Sequence, residues 1–211
     1  MDQKIQGILS EYEARAAMES PHIMQMPEEE WRRRRDEFML SVGHDTGRLL
    51  NILAKGARAR SILELGSSYG YSTLWLAEAA RKNGGTVFSV EIVSAKQEYA
   101  RAMIAKAGLD GHVEFFLGDA LKTIASLDGP FDFVLLDLWK DLYVSCFDLF
   151  YPKLKPGAIV VADNMLRPEE YLPEALKYRR HARSHSKIES VLLPVGSGIE
   201  LSRYGGDLAS S

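Results

Sequence analysis

The chain has 211 residues, 46% hydrophobic and 26% charged, and its 26 Lys and Arg against 29 Asp and Glu leave a net charge of −3. That is the composition of one folded domain with ample material for a core, and the total charge supplies no general attraction to nucleic acid or to an anionic membrane. One cysteine, Cys146, excludes an internal disulfide framework and a multi-cysteine zinc site, and no apolar run approaches the roughly 18 residues of a membrane span.

Met1–Gln6 lacks a basic segment followed by an apolar one, so no signal peptide is expected and the expected location is cytoplasmic. Residues 1–55 are expected to form a helical extension of the same domain. Ile5, Ile8, Leu9 and Tyr12 recur at helical spacing, Pro27 before Glu28, Glu29 and Glu30 marks a second helix start, and Leu49, Leu50, Ile52 and Leu53 mark a third helix. From residue 56 to 204 the pattern becomes strand, turn, helix, repeated. Apolar runs at Ser61–Leu65, Thr86–Val90, Val113–Leu117, Phe131–Leu136 and Ala158–Ala162 predict five strands. They are apolar throughout instead of alternating, as in a parallel sheet covered on both faces. Ser94 with Gln97 forms a capping-box pattern and Gly108 a helix stop. A helix is expected near 168–183, then two strands near Ile188–Leu193 and Gly198–Tyr204 as a hairpin. The fold class read from this is a doubly wound α/β domain, with residues 205–211 as a flexible tail.

In such sheets ligands bind beyond the carboxyl ends of the strands, near the topological switch point. Those ends carry Glu64 with Gly66, Glu91, Asp119, Asp137, and Asp163 with Asn164. Any one of these fits an ordinary turn. Five together imply something cationic or hydrogen-bonding in the crevice, because clustered like charges repel. The segment Glu64-Leu65-Gly66-Ser67-Ser68-Tyr69-Gly70-Tyr71-Ser72 is glycine-rich without the G-x-G-x-x-G spacing. Glu91, 25 positions after Gly66, is placed to accept ribose hydroxyls. The pattern fits S-adenosylmethionine or a nicotinamide cofactor, and the glycine spacing favours the former.

Glu64-Leu65-Gly66 with Gly70-Tyr71-Ser72, then Glu91, then Gly118-Asp119-Ala120, resembles the cofactor-binding series of class I S-adenosylmethionine methyltransferases. The segments Phe131–Tyr143 and Gly157–Asn164 narrow the resemblance to the metal-dependent O-methyltransferases of the catechol and caffeoyl-CoA type. It extends from about Phe38 to Tyr204 and includes Ser41-Val42-Gly43. It implies a mostly parallel seven-stranded Rossmann-like methyltransferase sheet with an antiparallel last strand. It also implies cofactor contacts at Val42, Glu64, Gly66, Ser67, Tyr69, Gly70, Ser72, Glu91, Asp119, Ala120, Asp137 and Trp139. For Asp119 a helix N-cap is the competing role, and for Trp139 core packing. The resemblance assigns Asp137, Asp163 and Asn164 to a metal. Their hard oxygen donors suit Mg²⁺ (or another divalent cation), and the set holds no Cys or His that would favour zinc. Lys140 matches the general base. Phe38, Leu40, Asn164 and Glu200 match substrate-facing positions; core packing competes at the first two and a solvated strand position at Glu200.

The expected activity is methylation, by S-adenosylmethionine, of a hydroxyl on a small aromatic vicinal diol or phenol, in a homodimer. Two basic clusters, Arg32–Arg35 and Arg179, Arg180, His181, Arg183, His185 and Lys187, read first as solvated faces. Anion recognition is their second reading, as a CoA diphosphate or a tRNA backbone. The small molecule is favoured because no stacking aromatics are interleaved with the arginines. A non-catalytic cofactor-binding module is disfavoured, since it would not need Asp137, Lys140, Asp163 and Asn164 together.

Overall fold

The structure is a computed structural model that describes residues 1–205; the tail expected over 205–211 lies, from residue 206 on, outside the described residues. Seven strands form one sheet: β1 (Ser61–Leu65), β2 (Thr86–Glu91), β3 (Val113–Leu117), β4 (Phe131–Leu136), β5 (Leu154–Ala162), β6 (Ile188–Leu193) and β7 (Ile199–Tyr204). Their order is β3-β2-β1-β4-β5-β7-β6. The first five strands pair in parallel, while β7 runs antiparallel to both β5 and β6, with Ala162 and Leu192 each opposite Glu200. The predicted last hairpin is thus present, folded so that its second strand lies inside the sheet.

Helices cover both faces. α1 (Gln3–Gln25), α3 (His44–Gly56), α4 (Tyr71–Asn83) and α5 (Ser94–Ala107) pack on the face presenting Ile62, Phe133, Leu135 and Val161. α6 (Ala120–Ser126), α7 (Tyr143–Phe150) and α8 (Leu172–Arg183) cover Leu63, Leu65, Val134, Leu136 and Val160. Successive strand residues point to opposite faces, and both faces are buried, which is why the runs read as apolar throughout. A short helix α2 (Glu28–Arg34) follows Pro27. Ile5, Ile8, Leu9 and Tyr12 bury the inner stripe of α1, whereas Ile52, 56% exposed, stands outside the α3 stripe. Cys146 is buried among apolar side chains, where burial pushes its thiol up to about 12.

One local expectation is corrected. Ser94 does not cap α5: Val93 occupies the N-cap, and the Ser94 hydroxyl donates to Glu98 instead. The Gln97 N–H that a capping Ser94 would take donates to the Val93 carbonyl instead, so the helix begins one residue earlier, and the Glu91 carboxylate accepts the N–H groups of Ile92 and Val93 just before it. The expected stop holds, with Gly108 in the left-handed conformation at the end of α5.

No described helix is long and apolar enough to cross a membrane.

Candidate active site

The chain travels outward from β1 to β3 and then resumes at β4 on the other side of β1, so the switch point lies between β1 and β4. A cavity of about 410 Å³ opens over these strand ends. Gly66, Glu91, Asp119, Ala120, Asp137, Asp163 and Asn164 line it from the sheet side, and Trp31, Arg35, Leu40 and Ser41 from the N-terminal segment. Four of the five expected strand-end acids, Glu91, Asp119, Asp137 and Asp163, therefore meet in one space. An adjoining recess is lined by Val42, Ser67, Tyr69 and Ser72.

The glycine-rich turn is built around a close approach. Gly66 has φ +92°, and a Cβ there would stand 2.1 Å from the Asp137 carbonyl oxygen. Only glycine lets the ends of β1 and β4 come this near. Gly70 serves packing instead: a Cβ at φ +93° would lie 2.7 Å from the Ala100 side chain, and Gly70 does not line the cavity. The N–H groups of Gly66 and Ser67 donate to Val90, tying the turn to β2. The buried hydroxyls of Ser67 and Ser68 have no hydrogen-bond partner among the described residues. Tyr69 donates its phenol hydrogen to the Glu37 carbonyl, and the Arg15 guanidinium lies 3.9 Å from its ring.

Glu64 is placed differently from the expectation of a cofactor contact. Its carboxylate is fully buried beneath the turn, where Ser72, Thr73 and Ser89 donate to it at 2.6–2.7 Å. Burial pushes it up to about 7. It braces the turn and the start of α4 from behind and does not line the cavity. Glu91 does line it, and accepts the N–H of Ser68 at 2.7 Å besides those of Ile92 and Val93. A carboxylate offers about four acceptor positions, so capacity remains on the cavity side. Asp119 both lines the cavity and caps α6, accepting from the Lys122 N–H at 2.9 Å.

Asp137 and Asp163 stand at the ends of the neighbouring strands β4 and β5, held by ladder bonds from their N–H groups to Leu65 and Leu136. Burial raises both carboxyl groups, and the negative charge of Asp137 adds to the rise at Asp163, which reaches about 7. Asn164, in the left-handed conformation at φ +57°, donates its N–H to Asp163 Oδ1. Lys140 is buried beside them. Its Nζ donates to the Leu138 carbonyl at 2.9 Å and to the Tyr143 hydroxyl at 2.6 Å, and lies 3.6 Å from Asp137 Oδ1. Burial lowers its pKa, while Asp137 and Asp163 oppose that shift. Tyr143 passes its own hydrogen to the Leu136 carbonyl and so anchors the lysine to the strand end.

On the substrate side Leu40 lines the cavity, but Phe38 does not. Phe38 is buried against Trp31 and His22, and Trp31 takes the lining position. Trp139 lines the cavity under the Arg35 guanidinium, 3.7 Å from its ring centre, and Arg35 also reaches the Tyr171 hydroxyl. Glu200 is corrected outright. It is fully buried, paired with Arg179 and Arg183 of α8 at 2.5–3.1 Å, and absent from the cavity wall, because its strand face points toward α8. Those pairings absorb part of the second basic cluster, and Arg34 of the first is paired with Glu30 and Glu37. Trp31 and Tyr171 escaped the sequence reading, and Arg35 and Tyr143 were noted only within a basic cluster and a motif segment, without these roles; contacts between finished elements leave no periodic signal.

A sheet of this order with an acid-lined cavity over its carboxyl ends defines a Rossmann-like methyltransferase fold. The family model described as O-methyltransferase matches residues 13–204, and the chain belongs to that family. It is 35% identical over 139 residues to a catechol O-methyltransferase of Niastella koreensis, covering 64% of this chain and 62% of that relative's length. With caffeoyl-CoA O-methyltransferase 2 of Populus trichocarpa it shares 30% over 186 residues, 78% of this chain and 75% of the relative. Among solved structures, the O-methyltransferase TomG of Streptomyces achromogenes in complex with SAM superposes with a TM-score of 0.77 at 28% identity, covering 98% of this chain and 91% of that one.

Proposed function

We propose that the chain transfers the methyl group of S-adenosylmethionine to a hydroxyl of a small catechol-like aromatic, with a divalent cation held by Asp137, Asp163 and Asn164. The observation that carries this reading is the pair of carboxylates at adjacent strand ends, Asp163 buried and Asp137 half-buried, beside the buried Lys140 in the wall of the cavity. Burial makes their charge costly, and Lys140 offsets only part of it. An oxygen-only donor set with surplus negative charge fits a hard cation, Mg²⁺ before zinc. Such a cation supplies charge stabilisation and lowers the pKa of a hydroxyl beside it.

The remaining work falls to the chain. Lys140 Nζ, whose burial favours the neutral amine, takes the hydroxyl proton. Trp139 offers an apolar wall to the cofactor's adenine and Leu40 one to the substrate ring, and positioning of this kind accounts for much of the rate of a bimolecular transfer. Glu91 accepts ribose hydroxyls, Gly66 lets the cofactor approach the backbone, and the unpartnered Ser67 and Ser68 hydroxyls serve its polar groups. Val42, Tyr69, Asp119 and Ala120 border the same half. Glu64 and Ser72 act one layer back, through the turn they brace.

The matched relatives carry catechol and caffeoyl-CoA names, and TomG holds SAM. The small phenol is preferred to a CoA ester or tRNA because arginines of both basic clusters are engaged locally. Labelled methyl transfer to a panel of catechols, hydroxylated CoA esters and undermodified tRNA tests this. Labelled catechols support the reading; label on tRNA alone overturns its substrate.

A further inference from the structure

The far ends of α7 and α8 meet on the side of the molecule away from the cavity. Lys140 and Tyr171, just before the two helices, line the cavity, whereas Asp148 and His181 sit toward their carboxyl ends. Along α8 that is roughly 14 Å at 1.5 Å per residue. There Asp148 Oδ1 lies 2.6 Å from His181 Nε2. One ring nitrogen of His185 completes a group whose ligand atoms all fall within 4.8 Å of one another.

We propose that Asp148, His181 and His185 form a second metal site, for a borderline divalent ion such as Zn²⁺, separate from the oxygen-donor set at the strand ends. Two imidazoles and one carboxylate are a ligand set that zinc accepts, with the remaining position left to water. The spacing of His181 and His185 puts both rings on one side of the end of α8, facing a carboxylate from the neighbouring helix. The rings are already oriented. His185 Nδ1 donates to the His181 carbonyl at 3.0 Å, which leaves the lone pair on Nε2. Phe147 packs against both rings at 5.7 and 5.1 Å, and Tyr151 lies 4.6 Å from His185. The His181 Nε2 hydrogen now joins that ring to Asp148. A metal ion takes its place at Nε2, a neutral ring keeping its proton by moving it to Nδ1 and a protonated ring giving its second proton to solvent, and the three ligand atoms draw to about 3.3 Å apart, as a tetrahedral shell requires. With Asp148 exposed and the histidines half-buried, the site exchanges with solvent and ties α7 to α8.

The test uses the full chain, stripped of metal and held in excess Mg²⁺ so that the oxygen donors are occupied, then titrated with Co²⁺ and Zn²⁺. One equivalent of Co²⁺ is expected to bind with the strong visible absorption of a nitrogen-containing, low-coordinate shell, and Zn²⁺ to displace it. A hundredfold excess of Zn²⁺ over its Kd should raise the melting midpoint by about 5 °C. Affinity should fall at least tenfold in His181→Ala and His185→Ala, and also in Asp148→Asn, which keeps the side-chain size. Equal melting midpoints in EDTA show that the variants fold, and methyl transfer in Mg²⁺ should be unchanged. Absence of the absorption band, or its persistence in all three variants, overturns the site and leaves a solvent-facing His–Asp ion pair.

Discussion

Lys140 and Glu64 are two buried ionisable side chains with different work to do. Lys140 is held by Leu138, Tyr143 and Asp137 within the cavity wall. Lys140→Ala should lower turnover by about 10²–10⁴-fold, the usual range for a positioned base, while the cofactor Kd stays within about twofold; single-turnover methyl transfer and calorimetry read the two. Unchanged turnover would remove the lysine from the chemistry. Glu64 affects stability instead. Its carboxyl ordinarily titrates at 4.5 and is pushed up to about 7 in the fold. Between those values the unfolded chain releases the proton while the folded chain keeps it, so stability falls as pH rises through that window and the loss is complete above it. At 1.36 kcal/mol per unit this amounts to about 3 kcal/mol. Denaturation of the protein and of Glu64→Gln across pH 4–8 should show that difference growing with pH; parallel curves would contradict it.

Single elements explain both the successes and the failures of the sequence reading. The end of β1 was legible because Gly66 is required by distance, not merely favoured: its missing Cβ makes room for the Asp137 carbonyl. Gly66→Ala should cost about 2 kcal/mol or more in stability and weaken cofactor binding, as melting curves and calorimetry will measure. Glu200 misled because alternation along a strand gives the face of a residue but not what covers that face. Here α8 covers it with Arg179 and Arg183. Glu200→Gln should lower stability by about 2 kcal/mol, less than for a wholly buried pair because both arginines are partly exposed. The KM for a catechol should not move, and a raised KM with intact stability would return Glu200 to the substrate. The Ser94 capping pattern failed because the helix starts one residue earlier, with Val93 at its N-cap, whose carbonyl takes the Gln97 N–H that a serine cap would have used.

At the scale of the molecule, the doubly wound α/β class, its two helical covers and a crevice over the strand ends were legible in strand runs, helix stops and carboxylates at successive strand ends, whereas the seven-stranded sheet with its antiparallel last strand was implied by the family resemblance and its order is seen in the structure. What escaped are long-range pairings: Arg35 over Trp139, Tyr171 with Arg35, and the meeting of α7 and α8. Nothing periodic encodes these, because each depends on how finished elements dock. The net charge of −3 conceals an uneven distribution, with buried carboxylates gathered at the strand ends and many arginines paired outside them. That concentration is the basis for proposing a cation there, and metal dependence tests it most directly. Labelled methyl transfer to a catechol should disappear after EDTA treatment, return on adding Mg²⁺, and stay absent in Asp163→Asn at the same Mg²⁺ concentration. Transfer that survives complete metal removal at its full rate would contradict the account.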